Sequence, residues 1–196
     1  GRRQVVKLAT RAIAVMAFDD LTEDPESAWL SKGVQSMLLT GLAQTRDLRL
    51  VSTQRLHEVV RETGSSSLES LDRAQASDVA RRAGAGAAVV GSIVKAGPSI
   101  RIDAQVEDLS SGRVLAATSV SGTDVFTLVD QLAVRIRDSV GFGDAGDARP
   151  VAEVSSASLE AYRLYSQGVD AYANLRLDAA RDLLLQAVAI DPTFAE

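Results

Sequence analysis

The stretch ARRAGAGAAVVGSIVKAGPSIRIDAQVEDLSSGRVL, residues 80–115, decides the fold. It opens on the end of a helix, where Gly84 is a natural stop. A buried strand follows over residues 87–94, then a tight turn at Gly97-Pro98 and a second strand over residues 99–109. Ser110-Ser111-Gly112 turns the chain into a third strand, so these three form an antiparallel meander. The glycines at 84 and 86 come after a helix and before a strand. A phosphate-binding loop needs them after a strand and at a helix start, so a dinucleotide site is not expected here. Gly91-Ser92, inside the first strand, marks a close approach, and helix packing is the favoured reading over a ligand contact.

Working outward, residues 11–18 (RAIAVMAF) form a short apolar run that fits a strand buried on both faces. An acidic loop, residues 19–26, leads to a helix on which Trp29, Leu30, Val34, Met37, Leu38 and Leu42 recur at helical spacing. Asp24 is expected to cap it, with Pro25 in the first turn and Glu26 at the positive end of the dipole. A short strand over residues 48–52 and a helix over residues 53–61, capped by Ser52 or Thr53, come next. Leu68, Leu71, Ala74, Val79 and Ala83 carry one further helical stripe ending at Gly84. Past the meander, Thr123 or Asp124 caps a helix running to about Val140. The order β-α-β-α-α-β-β-β-α gives an α/β layer with a mixed sheet and flanking helices. Residues 141–157 read as a linker, because GFGDAGDARP is rich in Gly, Asp and Ala. After it the composition is helical.

The bulk properties restrict the function. The chain has 196 residues, 46% hydrophobic and 24% charged, enough for one domain with a core and a smaller appendage. A net charge of −5 and a pI near 5.0 argue against nucleic acid as a partner. No cysteine is present, which removes disulfides, thiolate metal sites and cysteine nucleophiles. No apolar run reaches the roughly 20 residues that cross a bilayer. The abrupt start at Gly1-Arg2-Arg3 suggests a fragment of a longer protein.

Two resemblances follow from these segments. Residues 158–196 resemble a single tetratricopeptide repeat, a helix-turn-helix unit: Leu164, Gly168, Ala180, Leu184, Ala187 and Pro192 take its large, small and terminal-proline positions. Leu175 stands where glycine is usual, and Ala171 where an aromatic is usual, with Tyr172 beside it. A lone repeat leaves a face unburied, which implies further repeats. Residues 11–140 resemble the TolB-like amino-terminal domain related to FlgO and CsgG. Its first pattern is met by Ala14, Val15, Phe18, Thr22, Asp24, Pro25, Glu26, Trp29, Leu30 and Gly33. Its second is met by Ala80, Arg81, Gly84, Val89, Gly91, Ser92, Gly97, Arg101, Ile102, Gln105, Val106, Asp108 and Gly112, and DVFTLVDQLAVRI resembles its last helix. Lys32 replaces an acid, Asp20 an asparagine, and Ala116 a tryptophan. This resemblance implies a bacterial signalling protein whose parent carries a serine/threonine kinase, adenylate cyclase or transcriptional regulator domain upstream.

Catalytic readings find little support. The cluster Asp19, Asp20, Glu23, Asp24 and Glu26 lacks the spacing and glycine of a calcium loop, and capping accounts for Asp24 and Glu26. His57, the sole histidine, has no nucleophile elbow to serve. The expectation is a non-catalytic sensory module that binds a protein or peptide and uses no metal or cofactor. Its partner surface is drawn from Trp29, Lys32, Leu164, Tyr165 and Tyr172, and its compartment is periplasmic or otherwise extracytoplasmic, with cytoplasmic the alternative. The competing reading is a small-molecule sensor with its ligand near residues 19–24 and 52–54, at the carboxyl ends of the strands.

Overall fold

The computed structural model describes residues 12–22, 24, 27–141, 148–154 and 158–192. Its centre is a six-stranded mixed sheet. Strand β1 (Ala12–Val15) lies parallel between β3 (Arg49–Leu50) and β4 (Ala87–Ala96), while β5 (Ser99–Asp108) and β6 (Val114–Gly122) continue the sheet as the antiparallel meander. The two-residue strand β2 (Asp19–Asp20) pairs with the far half of β4. Gly97 has φ of +59°, which with the fixed φ of Pro98 suits a two-residue hairpin turn.

The expected continuous strand over residues 11–18 is interrupted, and Arg11 lies outside the described residues. Val15 pairs with Val89 and Asp19 with Ser92, four steps on one side against three on the other. One extra residue is therefore inserted, a bulge that reverses which face the later side chains take. Ile13 and Val15 point into one core and Ala14 and Met16 into the other; after the bulge, Phe18 joins Ile13 and Val15. Room for its ring comes from Gly91. A Cβ there would stand 2.5 Å from Phe18 Cε1 and 2.3 Å from the backbone oxygen of Asp103. The close approach expected at Gly91 is thus an aromatic ring and a neighbouring strand, and not a helix.

Helices α1 (Leu30–Ala43) and α4 (Val125–Ser139) cover one face of the sheet. Helices α2 (Thr53–Glu62) and α3 (Arg73–Arg82) cover β1, β3 and the start of β4 on the other. Ser52 caps α2 by accepting from the Arg55 amide at 3.2 Å, and Asp124 caps α4 by accepting from the amides of Phe126 and Thr127. Two expectations are corrected. Asp24 does not cap α1: Trp29 occupies that position, while the Asp24 carboxylate accepts from the Ser27 hydroxyl at 2.9 Å and pairs with Lys95 at 3.2 Å. Pro25 and Glu26 lie outside the described residues, as does Glu23. The stripe over residues 68–83 is two elements, a 3-10 turn at Leu68–Ser70 and then α3. The break falls at Asp72, whose carboxylate accepts from the Gln75 amide at 2.8 Å while the Gln75 side chain accepts from the Asp72 amide at 2.9 Å. This capping box starts a new helix.

Beyond α4, a short helix α5 (Val151–Val154) and the hairpin of α6 (Leu159–Ala173) and α7 (Leu177–Ile190) pack on the outside of α1 and α4. Val151 is fully buried against Gly41, and its amide donates to Asp130 at 3.0 Å. Tyr162 enters the main core, edge-on to Phe126 at a ring separation of 6.0 Å. Within the hairpin, Gly168 lets the helices close: a Cβ there would meet Leu184 Cγ at 2.8 Å. Leu175 in the interhelical turn has φ of +59° and is 82% exposed. A branched side chain in left-handed backbone is disfavoured by about 1 kcal/mol relative to glycine. Leu175→Gly is accordingly expected to raise stability by about 1 kcal/mol in urea titration, since little buried surface is lost with the side chain.

Candidate functional site

Two concavities stand out. The first, a cleft of about 350 Å³, lies between the start of α1 and the hairpin. Trp29 and Lys32 form its α1 wall, while Ser166, Gln167, Asp170 and Ala171 of α6, Arg176, and Leu183 of α7 form the other. Trp29 is placed by what α1 lacks: its ring lies over Gly33, where a Cβ would be 2.6 Å from Cζ3. Lys32 is the electrostatic hub. Its ammonium pairs with Asp170 of α6 and, at 3.3 Å, with Glu69 of the 3-10 turn. Asp170 also takes Arg176 at 3.1 Å and the Asn174 side chain at 3.0 Å. An acid at position 32, as the TolB-like pattern has, would face two carboxylates here.

His57 of α2 borders the same network. Burial holds it below the ordinary histidine value; Glu69 and Asp170 oppose that, and Lys32 and Arg61 add to it. The folded protein therefore binds this proton less tightly than the unfolded chain, so stability should fall as pH drops through about 6.5, the unperturbed value. His57→Gln should flatten the melting temperature between about pH 7.5 and about pH 5 relative to wild type. An unchanged slope in the variant would show that other groups set it.

The second concavity is a groove of about 680 Å³ on the half of the sheet that α2 and α3 leave bare. Its floor includes Val90, Ser92, Asp103, Gln105 and Ser119, and its wall Leu68, Leu71, Arg73 and Ala76. Arg73 crosses onto the sheet, its Nε donating to Glu107 at 2.6 Å, and Ser77 donates to the same carboxylate at 3.2 Å. Arg101 grips Asp103 at 2.9 Å, holding that carboxyl below its usual range. Asp19 reaches the groove, but Ser52 and Gln54 do not line it, so the space is not the strand-end crevice the sequence suggested. Among the described residues no group of three or more His, Cys, Asp or Glu could hold a metal.

The five expected partner-surface residues do not converge. Trp29 and Lys32 share the cleft; Leu164 is buried, and Tyr165 rests against Tyr162 at 6.0 Å. Tyr172 is exposed on the outside of the hairpin. Asp170, Arg176 and Gln167 complete the cleft and were not anticipated. Asp170 pairs with a lysine 138 positions earlier, a distance over which one sequence carries no pairing signal.

No family model matches the chain, and no curated protein matches it. Solved structures do. The LpoB C-terminal domain from Salmonella enterica is 19% identical, with a TM-score of 0.52 over 62% of this chain and 87% of that one. The chain has the fold of the LpoB C-terminal domain. The Escherichia coli LpoB C-terminal domain agrees, at 20% identity and a TM-score of 0.50 over 58% and 82% of the two chains. Lipoprotein GNA1162 from Neisseria meningitidis is 15% identical, with a TM-score of 0.52 over 67% of this chain and 99% of that one. At these identities the LpoB-like likeness concerns architecture. It accords with the mixed sheet and flanking helices expected from the sequence.

Proposed function

We propose that this chain is a non-catalytic protein-binding module of the bacterial cell envelope, with its LpoB-like layer carrying the first unit of a tetratricopeptide stack. The supporting observation is where apolar surface is left uncovered. Of eleven exposed large hydrophobic side chains among the described residues, seven belong to the hairpin: Leu159, Val169, Tyr172, Leu175, Leu177, Leu185 and Ile190. Apolar surface concentrated in this way marks contact with another protein. The occupant that fits is a further helical segment packed along α7, because Leu164, Gly168, Ala180, Leu184 and Ala187 stand at the repeat's packing positions and Leu175 adopts the backbone its usual glycine would.

An envelope location accords with the LpoB-like fold and with a lipoprotein among its structural neighbours. No helix among the described residues is long and apolar enough to cross a membrane. The signalling parent, with a kinase, cyclase or regulator domain upstream, rests on the TolB-like resemblance. Panning a displayed peptide library on the full chain tests the reading. Enriched peptides should be helical and should slow amide exchange over α6 and α7. The 680 Å³ groove favours a second reading, a small-molecule sensor. Failure to enrich any peptide, combined with a thermal shift from a metabolite set, would replace the first reading with the second.

A further inference from the structure

Among the described residues the sheet has two edges, and they are unlike. β3 ends one side after two residues, which is itself a protection. β6 ends the other with nine residues, VLAATSVSG, carrying neither charge nor proline. A bulge sets Leu115 apart, because Val106 pairs with Ala116 and Glu107 with Val114; residues 116–122 stay in regular register.

Which backbone groups face outward follows from that register. The Gly97-Pro98 turn closes on Ala96 and Ser99, a hydrogen-bonded pair in a two-residue hairpin, so alternate β5 residues from Ser99 onward turn their backbone groups to β4. Ile100, Ile102 and Ala104 then turn to Gly122, Val120 and Thr118, leaving Ala117, Ser119 and Ser121 facing outward. An independent contact agrees: the Ser119 carbonyl accepts from Arg135 of α4 at 2.6 Å. Arg135 engages one lone pair of one carbonyl; among the described residues the other outward backbone groups of Ala117, Ser119 and Ser121 make no hydrogen bond beyond the sheet.

We propose that β6 is a self-association edge to which a second copy of this chain adds antiparallel, joining the two sheets across a two-fold axis. The occupant follows from charge and size. With Ser119 on the axis, Ala117 meets Ser121 and Thr118 meets Val120, so no charge opposes a charge and small side chains face one another. An axis perpendicular to the sheet keeps both bare faces on one side and brings the two α4 helices together on the other. There it covers Val134, which is 43% exposed beside Arg135. The two Arg135 side chains are the feature that opposes pairing, and they turn to solvent when it occurs.

Sedimentation equilibrium of the full chain between about 1 μM and about 1 mM should show a monomer–dimer equilibrium. Ser119→Pro removes an outward N–H while leaving the β5 ladder intact, and should weaken the dimer by about tenfold or more. Arg135→Ala, by freeing the Ser119 carbonyl and removing the like charge, should tighten it. If the proline variant misfolds, Ser119→Lys supplies the same test through charge. A chain that stays monomeric throughout, or a dimer indifferent to all three substitutions, overturns the proposal. So does protection of the outward amides by an added peptide without any dimer.

Discussion

Replacing Tyr162 with alanine is expected to lower stability by about 3–5 kcal/mol, the range for emptying a buried aromatic site. The first structure lost should be the hairpin. Tyr162 is the aromatic side chain by which α6 enters the core beneath α1 and α4, edge-on to Phe126 and hydrogen-bonded to Ser36. In Tyr162→Ala, amide exchange over α6 and α7 should accelerate before that of β4 and β5. Tyr162→Phe keeps the ring and loses only the hydroxyl's bond, for about 1 kcal/mol. Burial also pushes the Tyr162 hydroxyl up to about 12. The folded state holds this proton more tightly than the unfolded chain, so the contribution is complete below about pH 10 and disappears between about pH 10 and about pH 12. Wild type should therefore lose more stability than Tyr162→Phe between about pH 8 and about pH 11, by about 1–1.5 kcal/mol. Equal losses would mean that the phenol is not shielded.

The second large effect is expected at Gly91. Gly91→Val places a branched side chain where even a Cβ would lie 2.3 Å from the Asp103 carbonyl oxygen and 2.5 Å from the Phe18 ring. The ring can shift, but the carbonyl belongs to the paired strand β5. The loss should exceed the about 1–3 kcal/mol typical of overpacked cores. Gly91→Ala should already destabilise, and adding Phe18→Leu should recover the part owed to the ring, which a double-mutant cycle in urea isolates. An alanine variant within about 0.5 kcal/mol of wild type would contradict the packing described.

These positions show where the sequence was readable. The meander was legible because its turns carry their own chemistry: Gly84, Gly97 and Gly112 all have positive φ, at +93°, +59° and +69°. The caps were legible to within one residue for the same local reason, as Ser52 or Thr53 and Thr123 or Asp124, and the structure selects Ser52 and Asp124. The bulge between β1 and β2 was not, since residues 11–18 are apolar throughout and nothing in such a run says where its facing reverses. Asp72 with Gln75 was a readable capping box, hidden by the apolar stripe that runs through it. The candidate cleft was half legible. Trp29 and Lys32 stood out, but their counterparts on α6 are brought there by the docking of Tyr162. Val151 lay in a stretch whose composition reads as linker, yet its side chain is buried in the main core.

The central claim is that the outer face of the hairpin, held against the LpoB-like layer, recognises protein. Titration calorimetry of a helical peptide selected on the full chain, against wild type and the Leu177→Lys/Leu185→Lys double variant, tests it most directly. Both side chains are exposed, so the fold and melting temperature should persist, while affinity should fall by about tenfold or more. Undiminished affinity in a folded double variant would contradict the claim.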